Sequence, residues 1–272
     1  MNADALKSVV ECPVCFRVPR GKILTCSNSH KICEVCYQKI VASAKQCPQG
    51  NCAYDQPPRC CRELETIVEN ADLVLSCSRE SAGCREELRR VDMIKHENIC
   101  QFREVPCPNS SCEQMMIFSS IDSHISESHP SISKLTSPEL RPLLKQNYKE
   151  REWNDWILYE WKNEHGNVFY PQIVKISGLW YFWIKVKADS TAAKQYEVTF
   201  EANNQDSGFK MMSVGHVHPI DMSVDEVMKT GDYLIMNQYN IDLLKYDCSQ
   251  ESQNRGCIGK LKLKFTVINI NY

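Results

Sequence analysis

The residues of this chain best equipped for chemistry are its cysteines and histidines. Fourteen of the sixteen cysteines fall between Cys12 and Cys112, and His30, His96, His124 and His129 stand at metal-ligand spacing among or just after them. Thiolates and imidazoles paired in this way bind zinc tetrahedrally, and a small domain can draw most of its folding free energy from the metal. Eight ligands come first, in the order Cys12, Cys15, Cys26, His30, Cys33, Cys36, Cys47, Cys52. A pair separated by two residues lets one tight turn aim two sulfurs at a single ion. Because His30 overlaps the Cys33/Cys36 pair, interleaving is expected: Cys12, Cys15, Cys33 and Cys36 hold one zinc, and Cys26, His30, Cys47 and Cys52 the next. Two more sets follow, Cys77, Cys84, His96 and Cys100, then Cys107, Cys112, His124 and His129. The expectation is four Zn2+ per chain. Closed four-ligand sites leave no open position for water, so the metal is structural rather than catalytic. Cys60 and Cys61 lie outside the pattern and read as spare or partly buried thiols, with one of them the fallback should Cys52 not be a ligand.

Short elements must position these ligands. Residues 12–52 lack long apolar periods and need a staple to fold. Residues 62–74 place Leu64, Ile67 and Val68 at helical spacing and read as an amphipathic connector helix. His96 and Cys100 share one helix face, and Asp92 and Ser120 stand where N-caps are expected, so each later set reads as a hairpin followed by a helix. Residues 130–142, with Pro130, Ser131, Ser133, Ser137, Pro138 and Pro142, read as a linker. From about Trp153 the texture becomes strand-like. Tyr196, Val198, Phe200 and Ala202 alternate with polar residues, as do Leu261, Leu263, Phe265 and Val267. Further strands are expected at Trp156–Trp161, Phe169–Ile176, Leu179–Lys187 and Tyr233–Met236. One helix interrupts them, opened by a Ser223/Glu226 capping box, with Val227 and Met228 facing inward, and ended by Gly231. The divisions expected are 1–53, 54–76 (connector), 77–129, 130–150 (linker) and a β-sandwich over 151–272.

Bulk composition narrows the function classes. Of 272 residues, 43% are apolar and 24% charged, with a net charge of −2. Both halves are balanced in charge, which argues against a nucleic-acid binder. Glu113–Ser123, the segment that would read bases in a DNA-binding finger, has no Lys or Arg. The first residues do not form a signal peptide, and no stretch approaches membrane-spanning length. A cytoplasmic location, with the nucleus also open, and reduced thiols are therefore expected, with no membrane partner. His216 and His218 read as a satisfied or solvent-facing pair, and Cys248 and Cys257 as unpaired thiols. Trp180–Trp183 reads as core on one face and as a subunit or domain contact on the other. No Ser/His/Asp or Cys/His nucleophile arrangement is present, nor a phosphate-cradling glycine loop.

The eight-ligand order resembles the RING finger. That resemblance implies ubiquitin transfer without a covalent intermediate, by holding a ubiquitin-charged conjugating enzyme (E2) beside a substrate. It implies an apolar docking surface at Val14, at Ile23 or Leu24, and at Pro48. Two departures matter: Cys47–Cys52 is two residues longer than the usual pair, and Ala53 stands where many active RINGs carry Arg, with substitution by Arg59 left open. The RING, the connector and the next two sets together resemble the seven-in-absentia family of ubiquitin ligases. The stretches that carry it are Asn70–Cys77, Ser81–Cys84, His96–Arg103, Val105–Pro108 and Ser111–Cys112. The resemblance implies a multidomain chain: a zinc-stapled α+β RING and tandem zinc fingers, then an antiparallel TRAF-like β-sandwich that binds substrate proteins and forms a homodimer. The expected function is that of an E3 ubiquitin ligase marking substrates for proteasomal degradation. The alternative is a non-catalytic zinc-dependent scaffold.

Overall fold

The computed structural model describes residues 3–44, 46–50, 52–55, 57–71, 73–109, 112–140, 143–145, 159–246 and 257–270. Two compact units emerge, Met1–Arg103 and Glu104–Tyr272. The two hairpin-and-helix modules expected to stand together over 77–129 are therefore divided, one to each unit.

The first unit runs α1 (Ala3–Val10), β1 (Ile23–Thr25), β2 (Lys31–Cys33), α2 (Glu34–Ala44), β3 (Arg59–Cys60), α3 (Arg62–Asn70), β4 (Val74–Ser76), β5 (Glu87–Arg89) and α4 (Arg90–Ile99). Its first sheet has the order β2-β1-β3. Ile23 lies opposite Cys33, and Leu24 opposite both Ile32 and Cys60. The eight-ligand module thus extends past residue 53, because Arg59–Cys60 closes its sheet. Its buried core is mostly its own ligands, Cys12, Cys26, Cys33, Cys36, Cys47 and Cys52, joined by Leu24, Ile32 and Tyr54. That is the composition expected when a metal replaces an apolar core. The connector helix α3 stops at Asn70, and its Val68 is fully buried with Val10, Ile23, Leu73 and Met93. β4 and β5 form a hairpin that leads into α4.

The second unit opens with the hairpin β6 (Glu104–Pro106) and β7 (Met115–Ile117), followed by α5 (Ile121–Ser128). It continues with β8 (Ser133–Leu135), β9 (Glu139–Leu140), β10 (Leu143–Lys145), β11 (Tyr159–Lys162), β12 (Val168–Ile176), β13 (Leu179–Val186), α6 (Ser190–Ala193), β14 (Tyr196–Asn204), β15 (Phe209–His216), β16 (His218–Pro219), α7 (Val224–Thr230), β17 (Leu234–Met236), α8 (Gln238–Leu244), β18 (Cys257–Lys260) and β19 (Leu263–Asn269). One sheet is ordered β16-β13-β12-β11-β8, with β17 also on β13; the other is β15-β14-β19-β9. Pairing is mostly antiparallel, with parallel exceptions at β8–β11 and β13–β16. A single apolar cluster spans the sheets, drawing Phe169, Trp180 and Phe182 from one and Val198, Phe200 and Phe265 from the other. Trp161 sits between them, its ring centroid 5.1 Å from Phe169 and 5.3 Å from Phe265.

Several expectations change. Residues read as a linker supply β8 and β9, which join opposite sheets; strands of two or three residues are too short to show a period. The strand expected from Trp156 is described only over Tyr159–Lys162; residues 156–158, Cys248 and the loop 249–256 lie outside the described residues. Among the described residues, three helices interrupt the strands rather than one, and α8 carries its own capping box, Asn237 with Asn240. The Ser223/Glu226 box and the left-handed Gly231 stop of α7 are as read. The second face of Trp180–Trp183 is not a subunit contact: Tyr181 and Trp183 pack with Val174 against Val227 of α7. β12 and β13 are covered on both faces, so they read as continuous apolar runs, whereas β14 alternates because one face is solvated.

Candidate metal centres

Four clusters bring together the sixteen predicted ligands. They are Cys12/Cys15/Cys33/Cys36, Cys26/His30/Cys47/Cys52, Cys77/Cys84/His96/Cys100 and Cys107/Cys112/His124/His129, with the ligand atoms of each within 4.8 Å of one another. Whether they fit zinc is a matter of edge lengths. Bonds of about 2.3 Å to sulfur and about 2.0 Å to nitrogen give tetrahedral edges of about 3.8 Å between sulfurs and about 3.5 Å between sulfur and nitrogen. Cys15 and Cys33 sulfurs are 3.9 Å apart, Cys77 and Cys100 3.9 Å, and Cys26 and Cys52 3.4 Å. His30 Nδ1 lies 3.2 Å from Cys52 and 3.6 Å from Cys47, and His96 Nε2 3.3 Å from Cys84. His124 Nε2 is 3.2 Å from Cys107 and 3.7 Å from Cys112, and His129 Nε2 3.4 Å from Cys107. These separations suit a zinc ion and are too long for disulfides. Each centre is closed, so the zinc it holds is structural.

Electrostatics make the same demand. Burial, and after it the neighbouring thiols, push the Cys36 thiol upward; burial leads a rise to about 11 at Cys100 and about 12 at Cys107. Cys12 moves the other way, to about 7, because backbone N–H groups of Cys33, Cys15 and Val14 outweigh the burial that would raise it. Four such ligands together need a dication to carry their charge.

Local sequence explains how the ligands are presented. In the first loop the Cys12 N–H donates to Arg17 O and the Phe16 N–H to Cys12 O, wrapping a knuckle round Cys12 and Cys15. Phe16 sits at a left-handed φ of 54° with its ring 75% exposed. The long Cys47–Cys52 spacing is accommodated by a small hairpin: Cys47 N–H donates to Cys52 O, Gly50 N–H to Cys47 O, and Gln46 bridges Ala53. Cys60 and Cys61 are half-buried and belong to none of the clusters. Arg59 pairs with Asp55 at 2.5 Å. Tyr54, unremarked from sequence, is buried and donates to the Cys47 sulfur at 3.9 Å; an aromatic two residues past the last ligand was the available signal. Gly83 adopts φ 112°, and a Cβ there would come within 3.0 Å of the Phe102 ring. The expected caps differ. Arg89 occupies the N-cap of α4, placing Asp92 in the first turn, and Ser120 caps α5 only by position, its hydroxyl donating back to Ile117 O.

The four expected docking residues are not equivalent. Val14 is half-exposed and Pro48 exposed, on the two zinc loops. Ile23 and Leu24 are 1% and 4% exposed, Ile23 under α3 and Leu24 among the cysteine ligands, so neither is presented to a partner. The histidine pair is satisfied: His216 faces Asp232 at 3.3 Å, and buried His218 meets Asp232 O at 3.0 Å.

Comparison with known proteins agrees with this geometry. A family model described as "Sina, zinc finger" matches residues 67–140. The chain is 29% identical over 162 residues to the Xenopus laevis E3 ubiquitin-protein ligase siah2, covering 59% of this chain and 49% of that protein. It is 31% identical over 137 residues to human E3 ubiquitin-protein ligase SIAH2, covering 50% and 40%. With the Arabidopsis thaliana E3 ubiquitin-protein ligase SINAT3 it shares 24% over 242 residues, covering 87% and 72%. The chain thus spans about half the length of the frog relative it matches. With its ligands gathered into four candidate metal centres and the Sina zinc-finger model matching residues 67–140, this chain is similar over that region to the seven-in-absentia ubiquitin ligases.

Proposed function

We propose that this protein is a RING-type E3 ubiquitin ligase. The observation that carries the reading is the interleaved pair of four-ligand clusters, Cys12/Cys15/Cys33/Cys36 and Cys26/His30/Cys47/Cys52. A ubiquitin-charged E2 docks on the two zinc loops through Val14 and Pro48, while Ile23 and Leu24 stay buried. Rate then comes from proximity, a substrate lysine meeting the ubiquitin thioester, and no residue of this chain forms a covalent bond. The two sheets built round β13 and β14 act as a TRAF-like sandwich that selects substrate proteins, which add as a strand to an exposed sheet edge. The protein works as a homodimer in the cytoplasm or nucleus, and its substrates go to the proteasome. Ala53, where an E2-bridging arginine would stand, makes the non-catalytic scaffold the second reading.

The test is discharge of ubiquitin from a panel of charged E2 enzymes onto lysine. The wild type accelerates discharge with at least one enzyme, and Val14→Arg abolishes the acceleration while the zinc content stays at four. No acceleration with any enzyme, and no effect of Val14→Arg, establishes the scaffold.

A further inference from the structure

Three of the zinc centres lie within the first unit, and the fourth, Cys107/Cys112/His124/His129, lies in the second. That fourth centre is the least buried, with only Cys107 fully buried. It also draws on the strands beyond it. Val105, Phe118, Ile121 and Ile125 share one apolar cluster with Tyr170 of β12 and Ile220, and Lys187 pairs with Asp122 of α5 at 2.8 Å.

A chain of hydrogen bonds runs through this contact. The Trp183 indole N–H donates to Gln172 Oε1 at 2.7 Å, Gln172 Nε2 donates to Pro108 O at 2.6 Å, and the Asn109 N–H donates to the Cys107 sulfur at 3.4 Å. An indole nitrogen can only donate, which fixes the Gln172 amide with its oxygen toward Trp183 and its NH2 toward Pro108. Pro108 O and Asn109 N–H belong to the same peptide group. A donor on that carbonyl polarises the N–H at its other end, which strengthens the bond to a thiolate. Gln172 and Trp183 are 3% and 1% exposed, so neither amide nor indole can exchange these partners for bulk water.

We infer that Gln172 is a positioning residue of the Cys107 zinc centre, so that strands β12 and β13 complete a metal site whose four ligands all lie before them. Zinc at this centre and order in those strands are then linked reciprocally. Zinc loss frees the Pro108 peptide and loosens β12 and β13, and disturbing Gln172 weakens the zinc. The inference does not depend on ligase activity.

The experiment uses the full zinc-loaded chain and a chelator competition that counts ions released. Gln172→Met, similar in length but without polar atoms, is expected to weaken retention of one of the four ions by about 10- to 100-fold and leave three unchanged. The reverse direction is read by amide exchange. Cys112→Ser and Cys84→Ser each lose one zinc, but only Cys112→Ser raises exchange over residues 168–186. Unchanged release of all four ions from folded Gln172→Met overturns the inference. So does equal exchange over 168–186 in the two serine variants, and that pair decides alone if Gln172→Met does not fold.

Discussion

Replacing Arg90 with Met tests whether the eight-ligand module and the hairpin-helix module that follows it fold as one body. Arg90 opens α4, yet its side chain is buried (9% exposed) against the segment joining the first two zinc loops. Its Nε donates to Pro19 O at 3.2 Å and its Nη2 to Arg20 O at 2.8 Å. Arg20 answers by pairing with Glu97 at 3.0 Å and donating to Ser76 O at 2.8 Å, and Glu97 accepts the Ser78 N–H at 2.9 Å. Glu97 follows the ligand His96, and Ser76 and Ser78 flank the ligand Cys77. The clamp therefore runs from one zinc centre to the loop between two others. Two bonds from a charged donor contribute about 1.5–3 kcal/mol each. The methionine keeps the stem packing and no longer has to desolvate a guanidinium, which offsets part of that loss. The net cost is about 2–4 kcal/mol. Native-state hydrogen exchange reads it directly. The amides of Ile23, held by Glu65, and Cys77, held by Glu86 O, are expected to lose protection together, by about 30-fold or more. Loss at Cys77 with Ile23 unchanged, or a change below about threefold at both, refutes the single-body argument.

Two further outcomes follow from the same geometry. Gly83→Ala forces a side chain into φ 112° and a Cβ to 3.0 Å from the Phe102 ring, so it is expected to cost about 1–3 kcal/mol. Chelator titration checks this through earlier loss of the Cys77/Cys84/His96/Cys100 zinc. Exhaustive zinc removal is expected to unfold the first unit outright, because six of the nine buried residues in its ligand-rich cluster are metal ligands. Limited proteolysis reads the difference: cuts spread through residues 1–103, while β14 and β19, whose Val198, Phe200 and Phe265 lie in the aromatic core, resist.

The contrast between what could and could not be read follows the range of each interaction. Tyr196–Ala202 announced a half-buried strand because one face of β14 is solvated, and Ser223/Glu226 announced a helix start because a capping box lies within three residues. β8 and β9 gave no such signal, being too short for a period and held by partners at Tyr159–Trp161 and Leu263–Lys264. Ile23 and Leu24 looked like surface positions from their place before Cys26, yet Cys33 and Cys60 pair across them and α3 covers Ile23. Trp180–Trp183 carries rings on two faces, and the sequence could not say that the chain's own α7 covers the second.

By itself, then, the sequence determined the sixteen ligands, their division into four closed centres and the alternating strands, since chelation and strand period are set by spacing along the chain. Only the tertiary structure decided that the two hairpin-helix modules belong to different units, and that Gln172 donates to the carbonyl of Pro108, next to a ligand more than sixty residues before it. Ligand spacing encodes how a turn grips an ion; which surface that turn then rests on depends on contacts between distant segments, and no local pattern records them.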